Sequence, residues 1–269
     1  VLIMGLGMQM IAWPDSFCQA LVARGFRVIR FDNRDVGLSP RTPGRKHPKL
    51  LLAMAAAALG LKVRTPYTLD DMAADTIGLM DRLQIERAHI VGASMGGMIA
   101  QVLAATYPQR VLSLTSIMST SGNRKLSKPS KAAGKALLTR PSDPKDPEVV
   151  IEHLVHTFGV IGSPGYPSTR EEMRQRIGRA VRRSYDPAGV TRQLVTVIAS
   201  GDRRKRLATI KAPTLVIHGA ADPLVPLAAG RDTAQHISGA RLEVIDGMGH
   251  DFPEALMPRL AGLVAEHCQ

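Results

Sequence analysis

Ser94 stands in the stretch Val-Gly-Ala-Ser-Met-Gly-Gly at residues 91–97, where glycines lie two positions before and two positions after a small hydroxyl residue. An apolar run precedes it at 89–91, and residues 97–107 follow it with helical spacing. In such a strand-turn-helix context, Gly-x-Ser-x-Gly is typical of a nucleophilic serine, because the sharp turn exposes the hydroxyl. Backbone strain of this kind costs about 1–3 kcal/mol. We therefore predict that Ser94 is a nucleophile; a glycine-rich packing turn is the alternative.

A nucleophilic serine needs a general base, and the base needs an acid that orients it. His250 follows the last predicted strand in a loop of small residues, Gly-Met-Gly-His-Asp, from which it can reach back over Ser94. Asp222 follows the penultimate predicted strand at the same edge of the sheet. Asp246 is closer to His250 in sequence, but it ends its own strand, where a capping role is expected. The predicted set is Ser94, Asp222 and His250, with the backbone N–H of Met95 directed at the oxyanion.

Three further histidines have other interpretations. His218 ends a strand inside an apolar run, where a hydrogen-bonded structural role is expected. His153 and His156 are three residues apart on a predicted helix and suggest a metal pair. No third ligand follows at a recognisable spacing, so a solvated helix face is favoured.

The two cysteines, Cys18 and Cys268, form neither a disulfide framework nor a metal cluster. We predict no metal and no cofactor.

The outer parts of the chain alternate between predicted strands and helices. This alternation predicts an α/β fold with a mostly parallel sheet and helices on both faces. Thr68 and Asp71 have the spacing of a capping box at the start of one of the helices. The strands are predicted at 1–4, 27–31, 89–91, 111–118, 213–218 and 241–245, and other core helices at 15–24 and 97–107.

The pattern changes in the middle of the chain, where Pro, Lys and Arg are frequent and the convincing elements are helical. Helices are predicted at 148–158, 169–185 and 187–200. A helical segment between two core strands is expected to lie over the strand ends as a cap. We therefore predict a core formed by 1–120 and 210–269 and a helical cap at 121–209, inserted before the penultimate strand.

The positive charge is concentrated in this predicted cap. The chain has 35 Lys and Arg, 23 Asp and Glu and a formal net charge of +12, and residues 121–211 hold 19 of the former and 8 of the latter. Aromatic residues make up only 4% of the chain, so few side chains are available to stack on bases. A nucleic-acid partner is therefore not predicted. We interpret the run Arg-Arg-Lys-Arg at 203–206 as a solvated surface turn.

Residues 50–59 form a ten-residue apolar run, which is too short to cross a bilayer. They predict a core or cap-packing helix, and a helix at the mouth of a pocket for apolar substrates is the alternative. No integral membrane segment and no secretory signal are predicted, so a cytoplasmic location is expected. Because the sequence starts at Val1 without an initiator Met, we also expect a segment upstream of it.

On these residues the chain resembles the α/β-hydrolase superfamily. The matching features are the stretch around Ser94, together with Asp222, His250 and the loop Phe-Asp-Asn-Arg-Asp-Val-Gly-Leu-Ser at 31–39. That loop, Ala-Trp-Pro at 12–14 and Gly-Met-Gly-His at 247–250 are similar to a subgroup of bacterial esterases that includes the aclacinomycin methylesterases. The superfamily usually has His-Gly-x after its first core strand, where this chain has Met-Gly-Leu at 4–6.

The resemblance implies a serine carboxylic ester hydrolase that forms an acyl-enzyme on small to medium esters. By position, the backbone N–H of Leu6 would be the second oxyanion donor and Trp13 would contact substrate. The same site also fits a cofactor-free perhydrolase or haloperoxidase, a C–C hydrolase or a lactonase. A non-enzymatic ligand receptor on the same fold is a further alternative. The expected partner is a small-molecule ester, and the sequence does not indicate an oligomeric state.

Overall fold

The sheet is parallel throughout the part of the chain that the computed structural model describes, residues 1–42, 49–126 and 128–269. One row of paired residues crosses it, from Leu2 through Val91, Thr115 and Leu215 to Arg241. Because the strands are parallel, their carboxyl ends lie at one edge, where sites form in α/β sheets. In spatial order the strands are β1 (Leu2–Ile3), β2 (Ala88–Ala93), β3 (Val111–Ile117), β4 (Thr214–Gly219) and β5 (Arg241–Ile245).

Eleven α-helices accompany these strands in the described residues. In chain order they are α1 (Asp15–Val22), α2 (Leu50–Ala58), α3 (Leu69–Arg82), α4 (Met95–Thr106), α5 (Lys131–Leu138), α6 (Pro147–Ile161), α7 (Arg170–Arg183), α8 (Pro187–Ser200), α9 (Arg204–Leu207), α10 (Leu227–Gln235) and α11 (Met257–His267). The predicted capping box is present at the start of α3, where Asp71 N–H donates to Thr68 Oγ1 at 3.2 Å and Thr68 N–H donates to Asp71 Oδ2 at 2.7 Å. None of the helices in the described ranges is long and apolar enough to cross a membrane.

Helices cover both faces of the sheet. Successive strand residues point to opposite sides, so each strand contributes apolar side chains to both faces. Leu2 and Val91 join one buried apolar cluster with residues of α1 and α11. Ile3 and Ile90, their neighbours in the chain, join a second cluster with residues of α3 and α4. The predicted parallel sheet between two helical layers is therefore confirmed.

The predicted strand at 27–31 is wrong as a regular strand. The segment runs beside β1 and makes one isolated parallel bridge, between Arg30 and Leu2. Leu2 N–H also donates to Ile29 O at 2.8 Å. Since β1 is only two residues long, it cannot support a longer ladder along this segment.

The segment between β3 and β4 is helical, as predicted. Of its five helices, α6, α7 and α8 match the predicted ones, whereas α5 and α9 were not predicted. Ile151 and Val155 of α6 pack with Ile177 of α7 in a small apolar cluster of their own. We keep the name cap for residues 121–209; its standing as a separate domain stays a prediction.

The structure corrects the interpretation of the basic run at 203–206. Arg203 is only 6% exposed, and its guanidinium donates to Thr120 O at 2.6 Å. Burial lowers the pKa of Arg203 to about 10. Arg206 pairs with Asp70 of α3 across the surface. Arg203 and Arg206 therefore join the cap to the core, because their guanidinium groups find a carbonyl and a carboxylate partner there.

Helix α2 confirms the cap-packing form of the prediction for its apolar run. It packs on cap helix α8 and buries Ala53 and Ala57. Leu51 and Leu52, however, are 80% and 62% exposed. The leucines therefore do not belong to the core, and the hypothesis of a pocket-mouth helix stays a prediction.

Candidate active site

Ser94 occupies the turn between β2 and α4, where its backbone has φ +54°. A positive φ is unfavourable for any residue with a side chain, so the turn is strained. The two flanking glycines make it sterically feasible. A Cβ at Gly92 would lie 2.2 Å from Gly96 O, and a Cβ at Gly96 would lie 2.0 Å from Ile3 O. The sharp turn predicted from the glycine spacing is therefore confirmed.

The structure brings Ser94, His250 and Asp222 together in one hydrogen-bonded chain. His250 Nε2 lies 3.0 Å from Ser94 Oγ, and His250 Nδ1 lies 2.7 Å from Asp222 Oδ2. Because a carboxylate oxygen can only accept, Nδ1 carries the proton and Nε2 is free to accept the hydroxyl proton of Ser94. His250 and Asp222 are 8% and 6% exposed. The arrangement can move a proton off the serine oxygen; the catalytic roles of the three residues stay predictions.

Asp222 is oriented by its own loop. Its Oδ1 accepts the backbone N–H groups of Leu224 at 2.9 Å and Val225 at 2.8 Å, which leaves Oδ2 for His250. Asp246, the alternative acid, is exposed at the end of β5.

His218 has the structural role that the sequence predicts. It is buried, its Nε2 bonds to Val225 O at 2.7 Å, and burial lowers its pKa. Its Nε2 lies 3.8 Å from Asp222 Oδ2, beyond hydrogen-bond distance. His218 therefore packs behind the carboxylate instead of competing with His250.

His153 and His156 lie on α6, where His156 is exposed. Among the described residues, no group of three or more His, Cys, Asp and Glu side chains is placed to hold a metal ion.

The loop after β1, residues 5–7, passes directly beside Ser94. A Cβ at Gly5 would lie 3.1 Å from Ser94 Cβ. Leu6, the predicted oxyanion donor, is the next residue, and Met95, the other predicted donor, is the first residue of α4. Backbone N–H groups at a helix N-terminus favour negative charge. The two amides thus belong to segments that flank the serine, and their role as oxyanion donors stays a prediction.

The loop that carries His250 is held by the end of cap helix α6, a contact that the sequence did not predict. His250 N–H donates to Ile161 O at 2.7 Å. Ser163 Oγ accepts the N–H of Gly249 at 2.8 Å and donates to Asp251 Oδ1 at 2.5 Å. No local pattern marks these partners, because they are more than 85 residues away in sequence.

Trp13 lies in the apolar cluster with α1 and α11 and is only 1% exposed. Its ring stacks on Phe17 at 5.4 Å and contacts Phe252 at 5.1 Å between centroids. Phe252 comes two residues after His250, so Trp13 packs beneath the histidine loop. The predicted contact of Trp13 with a substrate stays a prediction, and a ring this buried offers little surface for one.

Comparison with known proteins agrees with the fold. Residues 1–157 match the family described as alpha/beta hydrolase fold. The chain is 29% identical to the rhodomycin D methylesterase DnrP of Streptomyces peucetius, over 99% of this chain and 89% of the relative. It is 27% identical to 3-oxoadipate enol-lactonase 2 of Acinetobacter baylyi, over 67% of this chain and 64% of the relative.

A solved structure, the meta-cleavage product hydrolase CumD of Pseudomonas fluorescens, superimposes with a TM-score of 0.74. The superposition covers 99% of this chain and 88% of that one at 24% sequence identity. At this identity the likeness concerns the fold. The family match covers more than half of the chain and includes β1, β2, β3 and the Ser94 turn. The chain therefore belongs to the α/β-hydrolase fold family.

Proposed function

We propose that this protein is a serine carboxylic ester hydrolase that works through an acyl-enzyme on Ser94. The observation that carries the proposal is the hydrogen-bonded chain from Ser94 Oγ through His250 to Asp222. The three residues lie at the carboxyl edge of the parallel sheet. Ser94 itself occupies the strained turn at which helix α4 begins. Nucleophile, base and orienting acid in this geometry are the parts that acyl transfer requires.

In the first half-reaction, His250 Nε2 accepts the Ser94 proton while Oγ bonds to the ester carbonyl carbon. The carbonyl π electrons move to oxygen, and the backbone N–H groups of Leu6 and Met95 bind the resulting oxyanion. Each such donor typically contributes about 3 kcal/mol at the transition state. Asp222 stabilises the imidazolium ion that forms.

The oxyanion then collapses and the C–O bond to the alcohol breaks. His250 returns its proton to the leaving oxygen, so that a neutral alcohol departs and the acyl group stays on Ser94. In the second half-reaction, His250 takes a proton from water, which attacks the acyl carbon. The new oxyanion collapses, the bond between the acyl carbon and Ser94 Oγ breaks, and His250 returns its proton to Oγ as the carboxylic acid leaves.

We propose carboxylic esters of small alcohols, methyl esters first, as the substrate class. The similarity to rhodomycin D methylesterases, which covers 99% of this chain, supports the choice. A lactone is a cyclic ester and would follow the same steps, and one relative is an enol-lactonase. Lactonase activity is therefore the second candidate, and it is tested in the same assay.

The test compares Ser94→Ala with wild-type protein on p-nitrophenyl acetate, a panel of methyl esters and an aliphatic lactone. Ser113→Ala is the matched control, because Ser113 is a buried serine of β3 that bonds to His89 and does not touch Ser94. We expect Ser94→Ala to lose turnover and Ser113→Ala to keep it. Wild-type turnover in Ser94→Ala would overturn the proposal. Product limited to one burst in the wild type would instead favour the ligand receptor.

A further inference from the structure

We propose that Gln193, on cap helix α8, is a positioning residue that holds the oxyanion loop, residues 5–7, in place beside Ser94. The inference rests on the proposed function, because it assigns the support of a loop whose Leu6 N–H would bind the oxyanion. Gln193 is completely buried. It is 186 residues from Gly7 in sequence, so the contact exists only because the cap lies on the core.

Both ends of the Gln193 amide are engaged. Its Oε1 accepts the backbone N–H of Gly7 at 2.8 Å, and its Nε2 donates to Arg34 O at 2.9 Å. Since the oxygen faces a donor and the nitrogen faces an acceptor, the orientation of the amide is fixed by its partners. Gln193 therefore bridges two separate segments of the core.

The helix that carries Gln193 is itself fixed to the core. Arg192, the preceding residue, forms a two-pronged ion pair with the buried Asp35 at 2.9 and 2.8 Å. Gly7 has φ +66°, and a Cβ there would lie 2.9 Å from Val190 Cγ2, so α8 packs directly against the loop. Gln193 therefore stands on a helix that an ion pair and close packing both fix against the core.

The loop needs such support because two of its three residues are glycines, which are conformationally permissive. On its N-terminal side, Asn33 Nδ2 donates to Met4 O at 2.8 Å. On its C-terminal side, Gln193 holds the N–H of Gly7. The N–H of Leu6 lies between these two fixed points. The pair of bonds thus supplies rigidity to a loop that has Met4 where the family usually has histidine.

A fixed donor matters most when the oxyanion forms, since preorganised donors act on the transition state more than on the bound ester. Loss of the Gln193 bond should therefore lower kcat and leave KM nearly unchanged. Gln193→Leu removes both polar ends at similar size. Thr196→Val is the matched control, because Thr196 is buried on the same helix and bonds to Tyr67 O at 2.9 Å, away from the loop.

The experiment measures steady-state hydrolysis of p-nitrophenyl acetate by wild type, Ser94→Ala, Gln193→Leu and Thr196→Val, with melting temperatures for each. We expect kcat of Gln193→Leu to fall about tenfold, with KM within about twofold of wild type, and Thr196→Val to stay near wild type. If kcat of Gln193→Leu is unchanged, or if Thr196→Val loses as much, the inference fails. Gln193→Met replaces Gln193→Leu if the latter does not fold.

Hydrogen–deuterium exchange of the peptide spanning residues 4–10 separates this inference from the proposed function. Gln193→Leu should exchange faster there than wild type, whereas Thr196→Val should not. Unchanged exchange overturns the positioning role whether or not the protein hydrolyses esters. Faster exchange in a protein whose wild type shows no Ser94-dependent turnover would support the holding contact and reject the hydrolase.

Discussion

The core and the cap contribute to the site in different ways. In the core, the groups that orient a predicted site residue are near it in sequence: glycines two residues away form the Ser94 turn, and Asp222 is oriented by amides two and three residues on. In the cap, Ser163 and Gln193 hold loops that are 86 and 186 residues away. The core thus carries the predicted site residues in local patterns, and the cap contacts two of the loops around them through residues distant in sequence.

The largest expected effect tests the core side of this comparison. Asp222→Asn should lower kcat on the order of 10³–10⁴-fold, because an amide at this position no longer stabilises the imidazolium and disfavours the required tautomer. Asp246→Asn is the matched control and should keep kcat near wild type, since Asp246 is exposed at the end of β5. Steady-state hydrolysis of p-nitrophenyl acetate measures both. Equal losses in the two variants would contradict the assignment of Asp222.

A smaller effect distinguishes Gly96, which the Ser94 turn requires, from Gly78, which has open space around it in helix α3. Gly96→Ala should lower the free energy of unfolding by about 1–3 kcal/mol, because the added Cβ would overlap Ile3 O. Gly78→Ala, in the interior of α3 with open space around it, should raise it by about 0.5–1 kcal/mol. Urea denaturation measures both. A Gly96→Ala protein as stable as wild type would contradict the close packing of the turn.

The smallest effect concerns Asp251, the residue after His250, which accepts a hydrogen bond from Ser163 of the cap. Burial raises the pKa of Asp251, so the folded protein binds a proton at this carboxyl more tightly than the unfolded chain does. The stability that this group contributes is therefore present below its unfolded pKa and is lost as pH rises through its higher folded pKa. Asp251→Asn removes this titration and keeps an oxygen for Ser163. The stability of Asp251→Asn relative to wild type should thus increase from about pH 4 to neutral pH.

Urea denaturation at several pH values tests this expectation. Asp232→Asn is not a suitable control, because Asp232 is itself buried and bonded to Ser121; the exposed Asp246→Asn is. A stability difference that does not change with pH, or that falls as pH rises, would contradict the raised pKa of Asp251.

Much of the core site could be predicted from the sequence, for a physical reason. A turn that needs glycine on both sides of a serine, a capping box at Thr68 and strands buried on two faces each leave a pattern within a few residues. Asp222 and His250 are predictable from their places after consecutive strands. The closeness of these loops then follows from a parallel sheet, in which the carboxyl ends share one edge.

The remaining features depend on tertiary contacts. Arg203 is part of a basic run that resembles a surface turn, yet a long-range carbonyl partner buries it. Leu51 is part of an apolar run that resembles a core helix, yet it is exposed while α2 packs on α8 and buries Ala53 and Ala57. Nothing in the sequence near Ser163 or Gln193 indicates which loop its side chain contacts. Their partners become visible only when the cap is folded onto the core.

The most direct test of the central claim is the site of covalent capture by an organophosphate. Wild-type protein is treated with diethyl p-nitrophenyl phosphate, and the adduct is located by mass spectrometry of peptides, with p-nitrophenyl acetate turnover measured alongside. We expect one diethylphosphoryl group on Ser94, with turnover lost in proportion to labelling and no adduct in Ser94→Ala. Turnover that persists after Ser94 is fully labelled, or inactivation by an adduct on another residue, would contradict Ser94 as the nucleophile.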